Sequence, residues 1–356
     1  MDSVSQIALG ASLAHVTLGE KLGRWALLLG GVIGSVPDLD VLVPYEDAVE
    51  NFTYHRSWSH SLFVLTVLSI PLAWLCKRAV PKVDVTIGRW WLALWLVLVT
   101  HALLDGFTVY GTQLWWPLTT PPVAWGSIFI IDPVYTLPLL VGVVAAWRYP
   151  WRHSRATVLA GLLLSSTYLG WTLVSQQLTL QKVKVTLAQS DIKANHILVA
   201  PFPFSLLWRV LVVTDDRYLE GFSSLLDEDP SVALNSFDNG KHRCRDWLDT
   251  WPVQRMDWFT RGAFALSSRD ELLVLTDLRM GIEDDYVFEF VLGERRDAEW
   301  QAVPARQLPL NIDAERMRRL LKRMFDEDTD LAPPTLTPAA EVDCSVVRQV
   351  AARAVN

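Results

Sequence analysis

Cysteine is scarce. Cys76, Cys244 and Cys344 are the only three in 356 residues. They lie far apart and follow no metal-binding or redox spacing, so a disulfide framework is not expected. Positive charge is not in excess either: 32 Lys and Arg stand against 39 Asp and Glu, a formal net charge of −7. With no basic stripe or Arg-rich arm, a nucleic-acid binder is excluded. The first residues, Met1-Asp2-Ser3-Val4, offer no positive n-region, and a cleavable signal peptide is not expected. There is no Walker loop, no dinucleotide fingerprint and no Ser-His-Asp order. Gly30-Gly31-x-x-Gly34 follows no strand and reads as helix packing. Internal repeats are absent, and with them the inverted halves expected of a transporter.

What the chain does have is apolar residues, unevenly placed. They make up 51% of the sequence, and mean hydropathy is +0.22. Nearly all the long apolar runs fall within residues 1–175. Tryptophan is abundant at 17 residues, and its half-apolar ring favours the membrane–water interface. A bilayer core of about 30 Å takes around 20 helical residues. Segments near Ser61–Cys76, Trp90–Leu104, Ser127–Trp147 and Ala156–Val174 approach that length. Ile7–Leu18 and Trp25–Val36 are shorter and rich in small residues, so they pack against other helices, re-enter or insert only partly.

After Gln176 the pattern turns to short β-branched runs: Val183–Leu187, Arg209–Thr214, Tyr218–Leu225, Ala263–Ser267, Leu272–Asp277 and Tyr286–Leu292. Ala314–Phe325 reads as a basic amphipathic helix and Ala332–Ala340 as a Pro-rich tail. The expected architecture is an α-helical membrane domain of about four to six helices over residues 1–176. A small β-rich (α+β) extramembrane domain follows over 177–330, then a tail over 331–356.

Lys77, Arg78, Lys82 and Arg89 lie between the apolar segments starting at Ser61 and Trp90, and Arg148, Arg152 and Arg155 precede the last. Asp105–Ile131 contains no Lys or Arg. The positive-inside rule puts the two basic loops in the cytoplasm. Asp38–His60, the uncharged loop and the C-terminal half then lie outside.

Seven ionisable groups sit at or near ends of apolar segments: His15, Asp38, Asp40, His55, His60, His101 and Asp105. Near a membrane such groups are costly unless paired, metal-bound or facing water. His101 and Asp105 are four apart, on one helix face. That suits two ligands of one ion, or a ligand with its orienting carboxylate; a helix-end hydrogen-bonded pair explains it too. Pro37-Asp38-Leu39-Asp40 ends a helix, and an extended stretch would aim both carboxylates one way; a solvated loop is the plainer account. His55-Arg56-Ser57-Trp58-Ser59-His60 brings two imidazoles to a helix start, with Arg56 able to pair with phosphate. His15 is the weakest of the set, because a spanning first helix would place it near the opposite face. Asp132 adds a carboxylate or caps a helix. Lys and Arg placement alone, with no His or Asp counted, puts Asp38, Asp40, His55, His60, His101 and Asp105 on one face. Mixed imidazole and carboxylate ligands suit zinc, manganese or iron better than calcium or magnesium.

Leu9-Gly10-Ala11, Pro37-Asp38-Leu39-Asp40, His55-Arg56-Ser57-Trp58-Ser59-His60-Ser61-Leu62 and His101-x-Leu103-Leu104-Asp105, continued by Thr108-x-Tyr110-Gly111-Thr112-Gln113-x-x-Trp116-Pro117, resemble the YdjM-like bacterial inner-membrane proteins. That resemblance implies a membrane-bound metal-dependent hydrolase. Pro201-Phe202-Pro203-Phe204-Ser205-Leu206-Leu207-Trp208-Arg209 and Trp258-Phe259-Thr260-Arg261-Gly262 extend it to the longer subfamily with a C-terminal domain. Several members carry a His near the position of Gln6. The ligand order is also similar to the zinc-dependent phospholipase C and P1 nuclease group, but no later His-x3-Glu pair follows Asp105, so one or two ions are expected. The implied roles make Asp38, His60, His101 and Asp105 ligands. Asp40 and His55 are further ligands or proton-handling catalytic residues, and Arg56, Thr108 and Gln113 hold substrate. The expected partners are the lipid bilayer and a lipid or phosphoester substrate. A scaffold protein with a structural metal is the alternative.

Overall fold

The computed structural model describes residues 1–190, 192–297, 299–310, 314–331, 344 and 347–348; the expected Pro-rich stretch Ala332–Ala340 lies outside them. The described helices are α1 (Ser3–Leu22), α2 (Trp25–Gly34), α3 (Ala48–Tyr54), α4 (Leu62–Ala79), α5 (Ile87–Gly106), α6 (Pro133–Arg148), α7 (Trp151–Ser190), α8 (Trp251–Thr260) and α9 (Ala314–Arg323). Two compact units emerge. The first comprises Met1–Val43, His55–Ser175 and Pro203–Ser205; the second comprises Pro44–Tyr54, Gln176–Phe202 and Leu206–Asn356. The chain is thus an N-terminal helical region followed by a β-rich C-terminal domain.

In the first unit α4, α5 and α7 are long and apolar enough to cross a membrane, and α2 and α6 are shorter apolar helices. The expected apolar helix at Ser127–Trp147 begins only at Pro133. Asp132 caps it by accepting from the Val134 N–H, with proline at its first position, where a missing N–H costs nothing. Small residues set the α1–α2 contact: a Cβ on Gly10 would stand 2.4 Å from the Gly30 carbonyl oxygen. The Gly-rich run in α2 is therefore a packing surface. Leu18, Leu65, Trp90, Leu94, Val97 and Leu98 fill the core between α1, α2, α4 and α5. α4 begins where α5 ends, since Leu62 N–H bonds the Leu114 carbonyl just beyond α5 and His60 meets Asp105.

In the second unit the strands are β1 (His196–Pro201), β2 (Leu207–Val213), β3 (Arg217–Ser224), β4 (Leu234–Asp238), β5 (Phe264–Arg269), β6 (Leu272–Asp277), β7 (Gly281–Ile282), β8 (Asp285–Tyr286), β9 (Glu289–Arg296), β10 (Glu299–Gln307) and β11 (Val347–Arg348). They form sheets ordered β1-β2-β3-β4 and β11-β10-β9-β6-β5, plus the pair β7-β8. β2 is buried along its whole length, and its one charged residue, Arg209, is the nucleus of a polar network.

Two expectations fail here. Val183–Leu187 is part of α7, not a strand. Its alternation suits a strand, but Leu180, Val183 and Leu187 also share a helix face and pack on Trp208, Val210 and Val212, while Val185 is 53% exposed. Tertiary packing overrides the period-two signal. Cys244 and Cys344 are joined in a disulfide across a sequence separation of 100; wide spacing does not prevent pairing once folding brings two chain segments together. Residues 44–54 belong to this unit because Phe52 packs its ring against Phe259, Phe288 and Phe290 at 5.1, 4.5 and 5.3 Å.

Candidate metal centre

Three chain segments of the first unit converge at one end of α4 and α5. After α2, Pro37 opens a 3-10 turn over Pro37–Leu42 that carries Asp38 and Asp40. A second turn, Trp58–His60, ends at the Ser61 cap of α4. The last turn of α5 supplies His101 and Asp105, which its helical period stacks one above the other.

Asp38, His60, His101 and Asp105 each turn one ligand atom inward, all within 4.8 Å of one another. The two Nε2 atoms of His60 and His101 face each other at 3.2 Å. Asp38 Oδ1 lies 3.5 and 3.4 Å from them, and Asp105 Oδ2 lies 3.1 and 3.6 Å away. Bonds of about 2.0–2.1 Å directed tetrahedrally put ligand atoms roughly 3.3 Å apart. Five of the six edges of this group therefore already match a four-coordinate ion.

The outer contacts decide which ring nitrogens are free. His101 Nδ1 donates to the Gly34 carbonyl at 2.6 Å. Ser59 Oγ donates to Asp40 Oδ2 at 2.5 Å and accepts from His60 Nδ1 at 2.9 Å. Both rings thus present an Nε2 lone pair to the cluster. With Nδ1 so engaged, each Nε2 can turn a lone pair inward beside the two carboxylates, a set of four acceptors that a divalent cation would satisfy. Burial lowers the basicity of the His60 ring, but Asp105 and Asp38 more than reverse it and raise it above its ordinary value. Burial likewise opposes ionisation of Asp38, yet its contacts with His101 and His60 hold the carboxyl far below the usual range. The buried His/Asp cluster can hold a divalent metal ion.

Around it, Asp40 organises the His55–His60 loop. It accepts from His55 Nδ1 at 2.8 Å, from the Arg56 N–H at 2.8 Å and from Ser59. Burial pushes its carboxyl up, and His55 pulls it below the ordinary value. Arg56 takes a left-handed backbone conformation, φ 59°. Its guanidinium lies 3.2 Å from Asp105 Oδ2, 3.5 Å from Thr108 Oγ1 and over the Tyr110 ring at 5.0 Å.

The family model described as "YdjM inner membrane protein" matches residues 1–179, half the chain and all of these residues. The chain belongs to this inner-membrane family. Its similarity reaches further in one curated relative, the "Uncharacterized protein YfhP" of Bacillus subtilis (strain 168), which is 24% identical over 247 residues, 67% of this chain and 72% of that one. No solved structure matches.

Of the seven ionisable residues singled out in the sequence, four form the cluster and Asp40 with His55 form the pair beside it. His15 is placed elsewhere: its Nε2 pairs with Ser154 Oγ at 3.1 Å and its ring meets Trp151 edge-on at 4.9 Å. Thr108 hydrogen-bonds the Asp105 carbonyl at 2.7 Å, and the Gln113 N–H bonds the Arg56 carbonyl at 2.9 Å. Asp132 caps α6 and accepts from Tyr168 at 2.8 Å. Sequence reasoning missed Ser59, the Gly34 carbonyl, and the bond from Gln6 Nε2 to Asp105 Oδ1 at 3.0 Å. Ser59 had a signal, its place between Trp58 and His60 in the loop; the carbonyl had none, since every residue carries one.

Proposed function

We propose that this protein is a membrane-bound, zinc-dependent hydrolase acting on a phosphoester, its site on the outer side of the membrane. The observation that carries the reading is the near-tetrahedral set of four inward acceptors with a carboxylate–imidazole pair and a guanidinium at its edge. Asp38, His60, His101 and Asp105 hold the ion, for which manganese or iron is the runner-up. A divalent ion there supplies Lewis acidity toward a phosphoryl oxygen and acidifies water. Asp40 fixes His55 through Nδ1, leaving the other ring nitrogen to take and return a proton. Arg56, with Thr108 and Gln113, orients the phosphoryl group. The outer location draws support from the loop charges and from the Cys244–Cys344 bond, of a kind kept in oxidising compartments.

A test is turnover of bis(p-nitrophenyl) phosphate by the zinc-loaded, detergent-purified chain. His55→Ala is expected to lower it about a hundredfold or more with metal retained, and Asp40→Asn to lower it as far at saturating zinc. A second reading rests on the ligand count: four protein ligands close a tetrahedral shell, which is how structural zinc is held. In that case the protein is an envelope scaffold, wild type shows no turnover, and removing one ligand unfolds the membrane unit. Against it, Asp38 keeps its side chain 27% exposed, a ligand placed to give way to substrate.

A further inference from the structure

The metal centre is ringed by apolar side chains that nothing in the first unit covers. On one flank stand Leu39, Val41 and Leu42 of the Pro37–Leu42 turn, 55%, 72% and 74% exposed. They alternate with or directly follow the two carboxylates of that turn. On the other flank stand Trp58, Trp115 and Trp116, 44%, 43% and 38% exposed. The Trp115–Trp116 turn is tied to this flank by Ser61 Oγ, which donates to the Trp116 carbonyl at 2.6 Å. In water such a rim is a liability, because each large exposed apolar side chain forgoes the gain of burial.

The rim continues a lipid-facing surface. On α4 the exposed apolar residues Phe63, Val67, Ile70 and Trp74 recur at helical spacing, a stripe down one face of a spanning helix. The first of them meets Trp115 ring to ring at 6.2 Å. The stripe therefore runs from the hydrocarbon core to the rim without a break. α4 has 18 residues, about 27 Å of helix, which matches the hydrocarbon thickness. His60 stands two residues before its first turn; if α4 spans the hydrocarbon, the ligands fall at headgroup depth, where tryptophan rings settle.

We propose that this rim is seated in the bilayer interface and that the centre takes its phosphoester sideways out of the leaflet, as the headgroup of a membrane phospholipid. The substrate class rests on the hydrolase reading above; the seating of the rim does not. Arg56 beside the ligands then meets a phosphate held at fixed depth, and the acyl chains never leave the lipid.

Two measurements separate these claims. In vesicles of phosphatidylethanolamine and phosphatidylglycerol, an environment-sensitive fluorophore on Leu42→Cys, in a Cys76→Ser background, is expected to shift to the blue. It should be quenched by doxyl-labelled lipid and shielded from aqueous iodide. Iodide quenching with no response to doxyl lipid overturns the seating, whatever the activity. For the substrate class, the zinc-loaded chain is given those vesicle lipids and soluble bis(p-nitrophenyl) phosphate. Lipid is expected to be turned over at least tenfold faster, and Val41→Ser/Leu42→Ser to lower that ratio at least tenfold with metal content unchanged. Equal rates, or a ratio indifferent to the rim, overturn the lateral route. No turnover of either substrate overturns the hydrolase reading and the substrate class with it, leaving the fluorescence result to judge the rim.

Discussion

Each unit of this protein buries charge, and the two do it in opposite ways. In the C-terminal unit, buried Arg209 donates to Glu220 Oε1 at 2.5 Å and to the Leu278 carbonyl at 2.6 Å. Glu283 accepts from the hydroxyls of Tyr218 and Tyr286, and Arg279 grips Asp277 through two nitrogens at 2.9 and 2.6 Å. Donors and acceptors balance, and the network is complete in itself. In the membrane unit, His60, His101, Asp38 and Asp105 turn four ligand atoms toward one point, and Asp105 is met as well by Arg56, Gln6 Nε2 and the Met1 ammonium. Burial of polar groups alone does not mark a site, since both regions have it. The convergence of ligand atoms does: in the membrane unit four of them lie within 4.8 Å of one another, close enough to share one cation.

The contrast breaks most visibly if a ligand is removed. Asp105→Asn or His60→Ala is expected to lose bound metal altogether, a larger loss than the roughly 10–100-fold that an outer partner costs; equilibrium dialysis against zinc measures it. In the C-terminal unit Arg209→Met strands Glu220 without its partner and should cost about 3–5 kcal/mol of stability. Chemical denaturation of the full chain in detergent reads this, and Arg209→Met/Glu220→Leu, which removes both charges, should recover most of it. A double variant at the metal centre is expected to show no such rescue of metal binding, since both of its remaining partners are ligands. Asp40→Asn sharpens the comparison further: it weakens the Ser59–His60 support and should reduce zinc affinity by about 10–100-fold while leaving the fold intact.

The smallest effect is a pH dependence in the closed network. Burial lifts the Glu283 carboxyl above its ordinary value, so the folded chain holds this proton more tightly than the unfolded chain does. That contribution to stability is present below the unfolded value of about 4.3 and is lost as pH rises through the raised folded one. Glu283→Gln should therefore be at least as stable as wild type at neutral pH, by up to about 1 kcal/mol, with the advantage gone near pH 4. Denaturation midpoints of both proteins across that range check the sign.

Much of this was legible in the sequence. Apolar runs at 1–175 and β-branched runs after them gave the division into helices and sheets. Asp38, His60, His101 and Asp105 stood out because ionisable groups at the ends of apolar segments are rarely idle. Three things were hidden, each for a long-range reason. His15 could not be told from a ligand because helical periodicity gives a face, not the neighbour that covers it; Ser154 lies 139 positions away. Val183–Leu187 fits two periods equally until Trp208 and Val210 supply the surface it packs on. That residues 44–54, between Asp40 and His55, belong with the second unit follows from where Phe52 finds its aromatic partners, and no local pattern carries that.

His60, His101, Asp38 and Asp105 are expected to bind one ion together. Elemental analysis of the detergent-purified chain beside a His101→Ala/Asp105→Ala variant tests it most directly. About one equivalent of zinc, manganese or iron is expected, as a single four-ligand site requires, and none in the variant. A wild-type chain that stays metal-free after reconstitution with each ion in turn would contradict it, and would leave the cluster as a set of hydrogen-bonded groups at the end of two membrane helices.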